Sequence, residues 1–201
     1  MKTLVAIPYD SVSANASIDF KPPNVIGKNV SQIASYNTNG IECTNKIEHA
    51  REKLVETFLR SDCEKILFID SDTIVRGIHL LPLVESEHLV AVAIYPYRIY
   101  WDGKTPLPTQ PTNISPILQA GLGCCCIHRK VFTIMEPPYF GRRGRVTDRG
   151  SEDWNFFRNL IRYKIDAYVY PDIRVGHQDR ETGEIYYFSE DKKRTIKCQE
   201  R

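Results

Sequence analysis

Ile66-Leu67-Phe68-Ile69-Asp70-Ser71-Asp72 is the stretch on which the reading of this chain turns. Four apolar residues in succession, with no polar alternation, describe a strand buried on both faces. The run ends abruptly in two carboxylates one residue apart. Alternate strand residues point the same way, so Asp70 and Asp72 can face one point in space. The C-terminal ends of strands are where open α/β sheets bind ligands. Two acids at such a rim repel each other unless a cation lies between them. Mg²⁺ or Mn²⁺ typically binds through one or two carboxylates together with substrate phosphates. The alternative is that the acids only cap the next turn, since Asp and Ser favour turns.

Working outward, Thr3 to Ile7 reads as a first buried strand closed by Pro8, and residues 10 to 42 as a long irregular segment. Asn45 followed by Glu48 looks like a helix start. Behind it, Ile47, Ala50, Leu54, Phe58 and Leu59 recur at helical spacing. Leu80 to Val84 reads as a short helix with Pro82 in its first turn, and Leu89 to Ile94 as another buried strand. Residues 100 to 116 form a loop or irregular edge, and Ile117 to Ile127 is strand-like around its glycines. Arg129 to Met135 is a short helix. Ser151 opens another, with Trp154, Phe157 and Ile161 on one side. Ala167 to Tyr170 and Ile173 to Val175 are short strands, and the tail from Asp179 is polar. Buried strands alternating with helices predict an α/β domain with a mixed, mostly parallel central sheet flanked by helices.

At 201 residues the chain is long enough for one domain with a substantial core. A net charge of +2 is too near neutral to argue for a nucleic-acid partner. No apolar run approaches the roughly 20 residues needed to cross a bilayer, and no secretory signal is visible, so the expectation is a cytoplasmic protein without a transmembrane segment. None of the six cysteines forms a C-x-x-C pair, which argues against structural zinc. Cys124, Cys125 and Cys126 read as buried thiols, while a Cys43–Cys63 disulfide stays open.

Three further features carry chemistry. Arg51 falls among Ile47, Leu54 and Phe58, inside the apolar stripe of its helix. A guanidinium there must find an anionic partner, and Asp70 or a bound phosphate would serve. Ser151-Glu152-Asp153-Trp154 puts two acids in the first turn of a helix. That is favourable capping or a carboxylate base at the mouth of a site. His177 follows Gly176 at a strand end, where a metal ligand can originate. Gly141-Arg142-Arg143-Gly144-Arg145 is locally basic, as a solvated loop would be.

In this order and spacing the motifs resemble those of nucleotide-sugar glycosyltransferases of the GT-A fold, a Rossmann-like fold, near the large family 2 type. Among its small members the chain is similar to those encoded by archaeal viruses. The likeness runs from about residue 3 to residue 178. Ile7-Pro8-Tyr9, leading into Asp10, looks like the family's opening nucleotide-binding strand and loop. Ala50-Arg51 looks like its A-R-N helix segment, although Glu52 stands where Asn is usual. Asp70-Ser71-Asp72 looks like its D-x-D motif, Tyr95-Pro96-Tyr97-Arg98 like the segment after the next strand, and Gly121-Leu122-Gly123 with Arg129 like its G-x-G segment beside the donor sugar. Glu152-Asp153 looks like its E-D motif, whose Asp is the catalytic base of inverting members. His177 matches a histidine that completes the metal site in many members.

The resemblance implies a metal-dependent transferase that uses Mn²⁺ or Mg²⁺ and a UDP- or GDP-sugar, with a glycan, protein or lipid acceptor. Asp70, Asp72 and His177 would hold the metal. Pro8, Tyr9, Asp10, Arg51, Asp70 and Ser71 would face the nucleotide. Tyr95, Gly121, Leu122, Gly123 and Trp154 would face the sugars, and Asp153 with Glu152 would serve catalysis. Arg142, Arg143 and Arg145 would close over the diphosphate. Residues 1–178 would form one catalytic domain, with the nucleotide half up to about residue 98 and the acceptor and metal half from about 99, and residues 179–201 a polar tail. The rival readings are a phosphohydrolase of the haloacid-dehalogenase type, a nucleotidyltransferase, and a binder of nucleotide sugars without turnover. The first wants Thr two residues after the second Asp, where this chain has Ile74.

Overall fold

The structure, a computed structural model, describes residues 2–9, 30–37, 46–75, 80–94, 100–101, 106–107, 113–141, 151–179, 182–189 and 194–198. Asp10, Asn45, Tyr95 to Arg98, and Arg142, Arg143 and Arg145 lie outside the described residues, as does Cys43.

The run that opened the reading is strand β3, Lys65–Ile69. Its alternate residues serve two cores. Ile66 and Phe68 face one apolar cluster, and Leu67 and Ile69 the other. Strand β5, Val90–Ile94, does the same, with Val90, Val92 and Ile94 on one side and Ala91 and Ala93 on the other. So does β9, Cys124–His128, where Cys125 opposes Cys124 and Cys126. Double burial is why these strands lack polar alternation. Burial also pushes the Cys126 thiol up to about 12 and those of Cys124 and Cys125 well above the ordinary thiol range, so these cysteines are inert apolar filling.

Helix α1, Lys46–Arg60, packs Leu54 and Phe58 against the first face. Helices α3, Arg129–Ile134, and α4, Glu152–Arg162, cover it further with Val131, Phe132, Phe156, Phe157 and Leu160. The short α2, Leu81–Val84, covers the second face with Leu83 and Val84 and carries Pro82 in its first turn. Among the described residues no helix is long and apolar enough to cross a membrane.

The main sheet joins β1, Thr3–Tyr9, β2, Val30–Asn37, β3, β5, β8, Ser115–Ile117, β9 and β10, Ala167–Arg174, in the order β2-β1-β3-β9-β5-β10-β8. β2, β1 and β3 are mutually parallel, β9 runs against β3 and β5, β10 is parallel to β5, and β8 is antiparallel to β10. The mixed, mostly parallel, Rossmann-like sheet with flanking helices is therefore the architecture of the chain. Its chain order diverges at β1, with β2 on one side and β3 on the other. That is a topological switch point, where such sheets open a crevice outside their C-terminal strand ends. Asp70 immediately follows β3 at that rim.

A second sheet, β13-β12-β11-β4, stands beside the same rim. It consists of β4, Thr73–Ile74, β11, Gly176–Gln178, β12, Ile185–Ser189, and β13, Arg194–Cys198. A small ladder pairs β6, Tyr100–Trp101, with β7, Pro106–Leu107.

Several local expectations are corrected. Residues 10 to 42 contain a strand. Among the described residues β2 pairs only with β1, and an edge strand need not be continuously apolar, which is why Val-Ser-Gln-Ile-Ala-Ser-Tyr-Asn does not stand out. β1 continues through Pro8 because its ladder with β3 ends at Ala6 opposite Phe68, so the missing N–H interrupts no pairing on that side. Residues 118–123 are irregular and separate β8 from β9. Residues 167–174 form one strand, with a register shift after Tyr170 next to Pro171. On α4 the buried face is Asp153, Asn155, Phe156, Phe157, Asn159 and Leu160, while Ile161 is 49% exposed. The polar tail supplies β12 and β13.

Candidate active site

Arg51 lies in α1 with 1% of its surface exposed. Its guanidinium sits over the Phe68 ring, 5.2 Å from the centroid. Nη2 donates to Asp70 Oδ1 at 2.8 Å and lies 3.9 Å from Glu152 Oε1. The first acid of the D-x-D run and the first acid of α4 thus meet on one cation contributed by a third element. Among the described residues, Arg51 Nε and Nη1 are buried without a hydrogen-bond partner. Burial works against the charged guanidinium, but Asp70, Asp153 and Glu152 outweigh it and hold its pKa above the ordinary value. Asp70 moves the opposite way to an ordinary ion-paired acid. Burial raises its pKa, Arg51 opposes the rise, and Asp72 and Glu152 add to it.

The Gly121-Leu122-Gly123 segment ties the acid motifs together through its backbone. Leu122 N–H donates to Asp153 Oδ1 at 3.2 Å. Gly123 O accepts from the Asp70 N–H at 3.0 Å and from Thr73 Oγ1 at 3.0 Å. Asp153 is 4% exposed, so its carboxylate is held in a defined orientation by a donor that desolvation makes strong. Ser151 caps α4, its Oγ accepting from the Trp154 N–H at 3.5 Å, with Glu152 and Asp153 in the favourable first turn. Capping and convergence on the site hold together here.

Asp72 and His177 come together from opposite ends of the chain. β4 pairs with β11 so that Thr73 faces His177, and the Gln178 N–H donates to Asp72 O at 2.8 Å. His177 Nδ1 lies 3.7 Å from Asp72 Oδ1. Two atoms on adjacent positions of one hexacoordinate ion, each about 2.1 Å from it, are about 3.0 Å apart, a small side-chain rotation from the observed spacing. Carboxylate oxygen plus imidazole nitrogen is a donor set that suits a divalent cation. Among the described residues no group of three His, Cys, Asp or Glu side chains gathers as a metal cluster. The fit is thus to a two-donor site that leaves most positions to phosphate and water.

The other expected residues are placed as follows. Pro8 and Ser71 are buried at the rim, Gly121, Leu122 and Gly123 are buried against it, and Trp154 is half-buried in the first turn of α4. Tyr9 is described by its backbone alone. Arg129 is not beside this site. It follows β9 at the opposite rim, where His128 pairs with Lys65. Its guanidinium donates to the carbonyls of Phe58, Leu59, Ser61 and Cys63 and stacks over Phe58, which caps the C-terminus of α1. Glu52 also has a structural task, accepting the Phe140 N–H at 2.8 Å. This docks the 137–141 turn on α1, with Phe140 between Phe68 and Phe156. Gly141 fits there because a Cβ would come within 2.8 Å of Pro138 Cβ and Glu48 Oε1.

Sequence reasoning missed Thr73 and the backbone N–H of Leu122. The alternation of Asp72, Thr73 and Ile74 was a signal for the first. The second had none, because a backbone donor leaves no trace in residue type.

No family model matches the chain, and no curated protein matches it. Among solved structures, A197 from STIV is similar over 100% of this chain and 96% of its own, with a TM-score of 0.65 and 19% identity. TarS 1–349 from S. aureus aligns with 86% of this chain and 58% of its own, at a TM-score of 0.46 and 13% identity. A glycosyltransferase involved in the glycosylation of the major capsid of PBCV-1 aligns with 67% of this chain and 63% of its own, at a TM-score of 0.40 and 13% identity. The likeness to A197 is one of fold, and it extends over the whole chain.

Proposed function

We propose that the chain is a glycosyltransferase that moves a sugar from a nucleotide-sugar donor, a UDP- or GDP-sugar, to a hydroxyl of a glycan, protein or lipid acceptor with inversion at the anomeric carbon. The observation that carries this reading is the convergence of Arg51, Asp70, Glu152 and Asp153 with the Asp72–His177 pair at the switch-point rim of the sheet. A switch-point rim is where open α/β sheets commonly take nucleotides. The half-satisfied Arg51 guanidinium, with two buried nitrogens unpartnered among the described residues, adds an anion-seeking group beside it.

Asp72 and His177 would hold Mn²⁺ or Mg²⁺, which when bound neutralises charge on the leaving diphosphate. Asp70, fixed by Arg51, faces the nucleotide side. Asp153, with one oxygen anchored by Leu122, takes the proton of the acceptor hydroxyl. The acceptor oxygen bonds the anomeric carbon while the bond from that carbon to the phosphate oxygen breaks, and the nucleoside diphosphate departs. Glu152 shares the Arg51 charge with Asp70, and that cation keeps the rim from becoming a site of unopposed carboxylates. Trp154, half-buried beside Asp153, offers a ring face to a sugar.

The test is a panel of nucleotide sugars with Mn²⁺, read by thermal shift, since a ligand that binds only the folded state raises the melting temperature. Donors that bind are then assayed for transfer or donor hydrolysis. Undiminished activity in Asp72→Ala would reject the metal site. Release of phosphate from a generic ester, with no donor bound, would place the chain among phosphohydrolases instead.

A further inference from the structure

The small sheet places one more residue in register with the Asp72–His177 pair. Residues directly opposite in an antiparallel ladder share a face, with Cβ atoms about 5 Å apart. Thr73 is opposite His177, and His177 is opposite Tyr186 of β12. Thr73, His177 and Tyr186 therefore form one row across three strands. The row faces the site, because Thr73 Oγ1 reaches Gly123 O, beside the backbone donor that holds Asp153.

The register is fixed by the turn between β11 and β12. Asp179 Oδ1 accepts from Thr182 N–H at 2.8 Å and from Thr182 Oγ1 at 3.1 Å. Asp179 N–H donates to Glu184 O, and Gly183 N–H to Asp179 O, each at 2.8 Å. Gly183 supplies the left-handed φ of +71° that the turn needs. A slip by one residue would send Tyr186 to the other face, and this turn prevents it. The Tyr186 hydroxyl in turn donates to Glu184 Oε2 at 2.6 Å, which fixes the far end of the ring.

We infer that Tyr186, held by Glu184, is a positioning residue for His177. It packs beside the imidazole and keeps its nitrogen turned toward Asp72, so that the C-terminal hairpin is a working part of the cation-holding end. This rests on the proposed reading of Asp72 and His177 as cation ligands. Neighbours that orient a ligating histidine typically change metal affinity by about 10–100-fold when removed.

The experiment measures Mn²⁺ binding to the full chain from the free-ion electron paramagnetic resonance signal, for wild type, Tyr186→Ala, Tyr186→Phe, Glu184→Gln and His177→Ala. Tyr186→Ala is expected to weaken binding about tenfold, and Tyr186→Phe and Glu184→Gln by a smaller factor. A second readout needs no metal. The histidine ring resonance absent from His177→Ala should move in Tyr186→Ala while the remaining histidine resonances stay in place. Wild-type Mn²⁺ affinity and an unmoved His177 resonance in Tyr186→Ala overturn the inference and leave the cation site standing. Wild-type affinity in His177→Ala as well removes the cation site and the inference together. Should Tyr186→Ala fail to fold, Tyr186→Phe and Glu184→Gln decide, and wild-type binding in both overturns the inference.

Discussion

Replacing Arg51 with Met removes a cation shared by the two acid motifs while keeping most of the side-chain volume over Phe68. Its effect can be worked from the contacts. Taking one partner from a buried ion pair typically costs about 3–5 kcal/mol, because the other charge is left without compensation. Two features lower that figure here. The Asp70 and Glu152 side chains are 27% and 16% exposed, so water screens part of what the guanidinium now screens. Arg51 Nε and Nη1 are buried without partners among the described residues, and losing such donors relieves about 1–3 kcal/mol of desolvation. The net expectation is a loss of about 1–2 kcal/mol, equivalent to roughly 2–8 °C in melting temperature for a domain of this size.

Urea unfolding followed by tryptophan fluorescence at pH 7 measures it. Asp70→Asn in the Arg51→Met background should cost much less than Asp70→Asn alone, a coupling of about 0.5–3 kcal/mol, because the remaining acids no longer repel an ionised Asp70. Arg51→Lys keeps a charge but not the planar fork and should fall between. Arg51→Met within about 0.5 kcal/mol of wild type, as ordinary surface substitutions are, would refute the placement of this guanidinium as the electrostatic centre of the site. So would strictly additive effects of Arg51→Met and Asp70→Asn.

Asp153→Asn should lower the rate of sugar transfer by about 10²–10⁴-fold while nucleotide-sugar binding, read by thermal shift, stays near wild type, since Leu122 N–H still finds a side-chain oxygen. Arg129→Met should destabilise the fold by about 2–4 kcal/mol in urea unfolding, because four carbonyls lose a charged donor, and should leave donor binding unchanged at the opposite rim. Glu52→Gln tests a buried acid through pH. Burial raises the folded-state pKa of Glu52 above 4.5, so in that window the folded chain binds more protons than the unfolded one and stability falls as pH rises. The melting temperature of Glu52→Gln minus that of wild type should therefore climb from about pH 4 to about pH 7, and a difference that shrinks over that range would contradict it.

What was legible in the sequence follows from which physical terms leave a mark on residue type. β3 and β5 could be read because burial on both faces leaves Ile66 to Ile69 and Val90 to Ile94 without a polar residue. Arg51 stood out because a guanidinium inside an apolar stripe needs an anion, and the anion is there at 2.8 Å. Glu152 and Asp153 were visible as first-turn acids, and His177 as an imidazole at a strand end. β2 was not legible, because an edge strand loses half of the constraint and its polar residues resemble a loop. Ala167 to Val175 was split at Pro171 because proline punctuates strands, whereas here it coincides with a register shift that the strand absorbs.

The tasks of Arg129, Glu52 and the tail escaped the sequence for a common reason. Each depends on a partner distant in sequence: carbonyls at a helix end some 70 residues earlier, a backbone N–H 88 residues later, a strand register set by a turn. Such partners are chosen by topology, and local composition is silent on topology. The site itself obeys the same division. Its charged side chains could be named from motifs, but what orients them is backbone and cross-strand contact, Leu122 N–H for Asp153 and the β4–β11 pairing for Asp72 and His177. The chemistry proposed for this rim would therefore depend on residues whose identity carries little information, and substitutions that shift the 121–123 segment or the hairpin register should impair it as surely as loss of an acid.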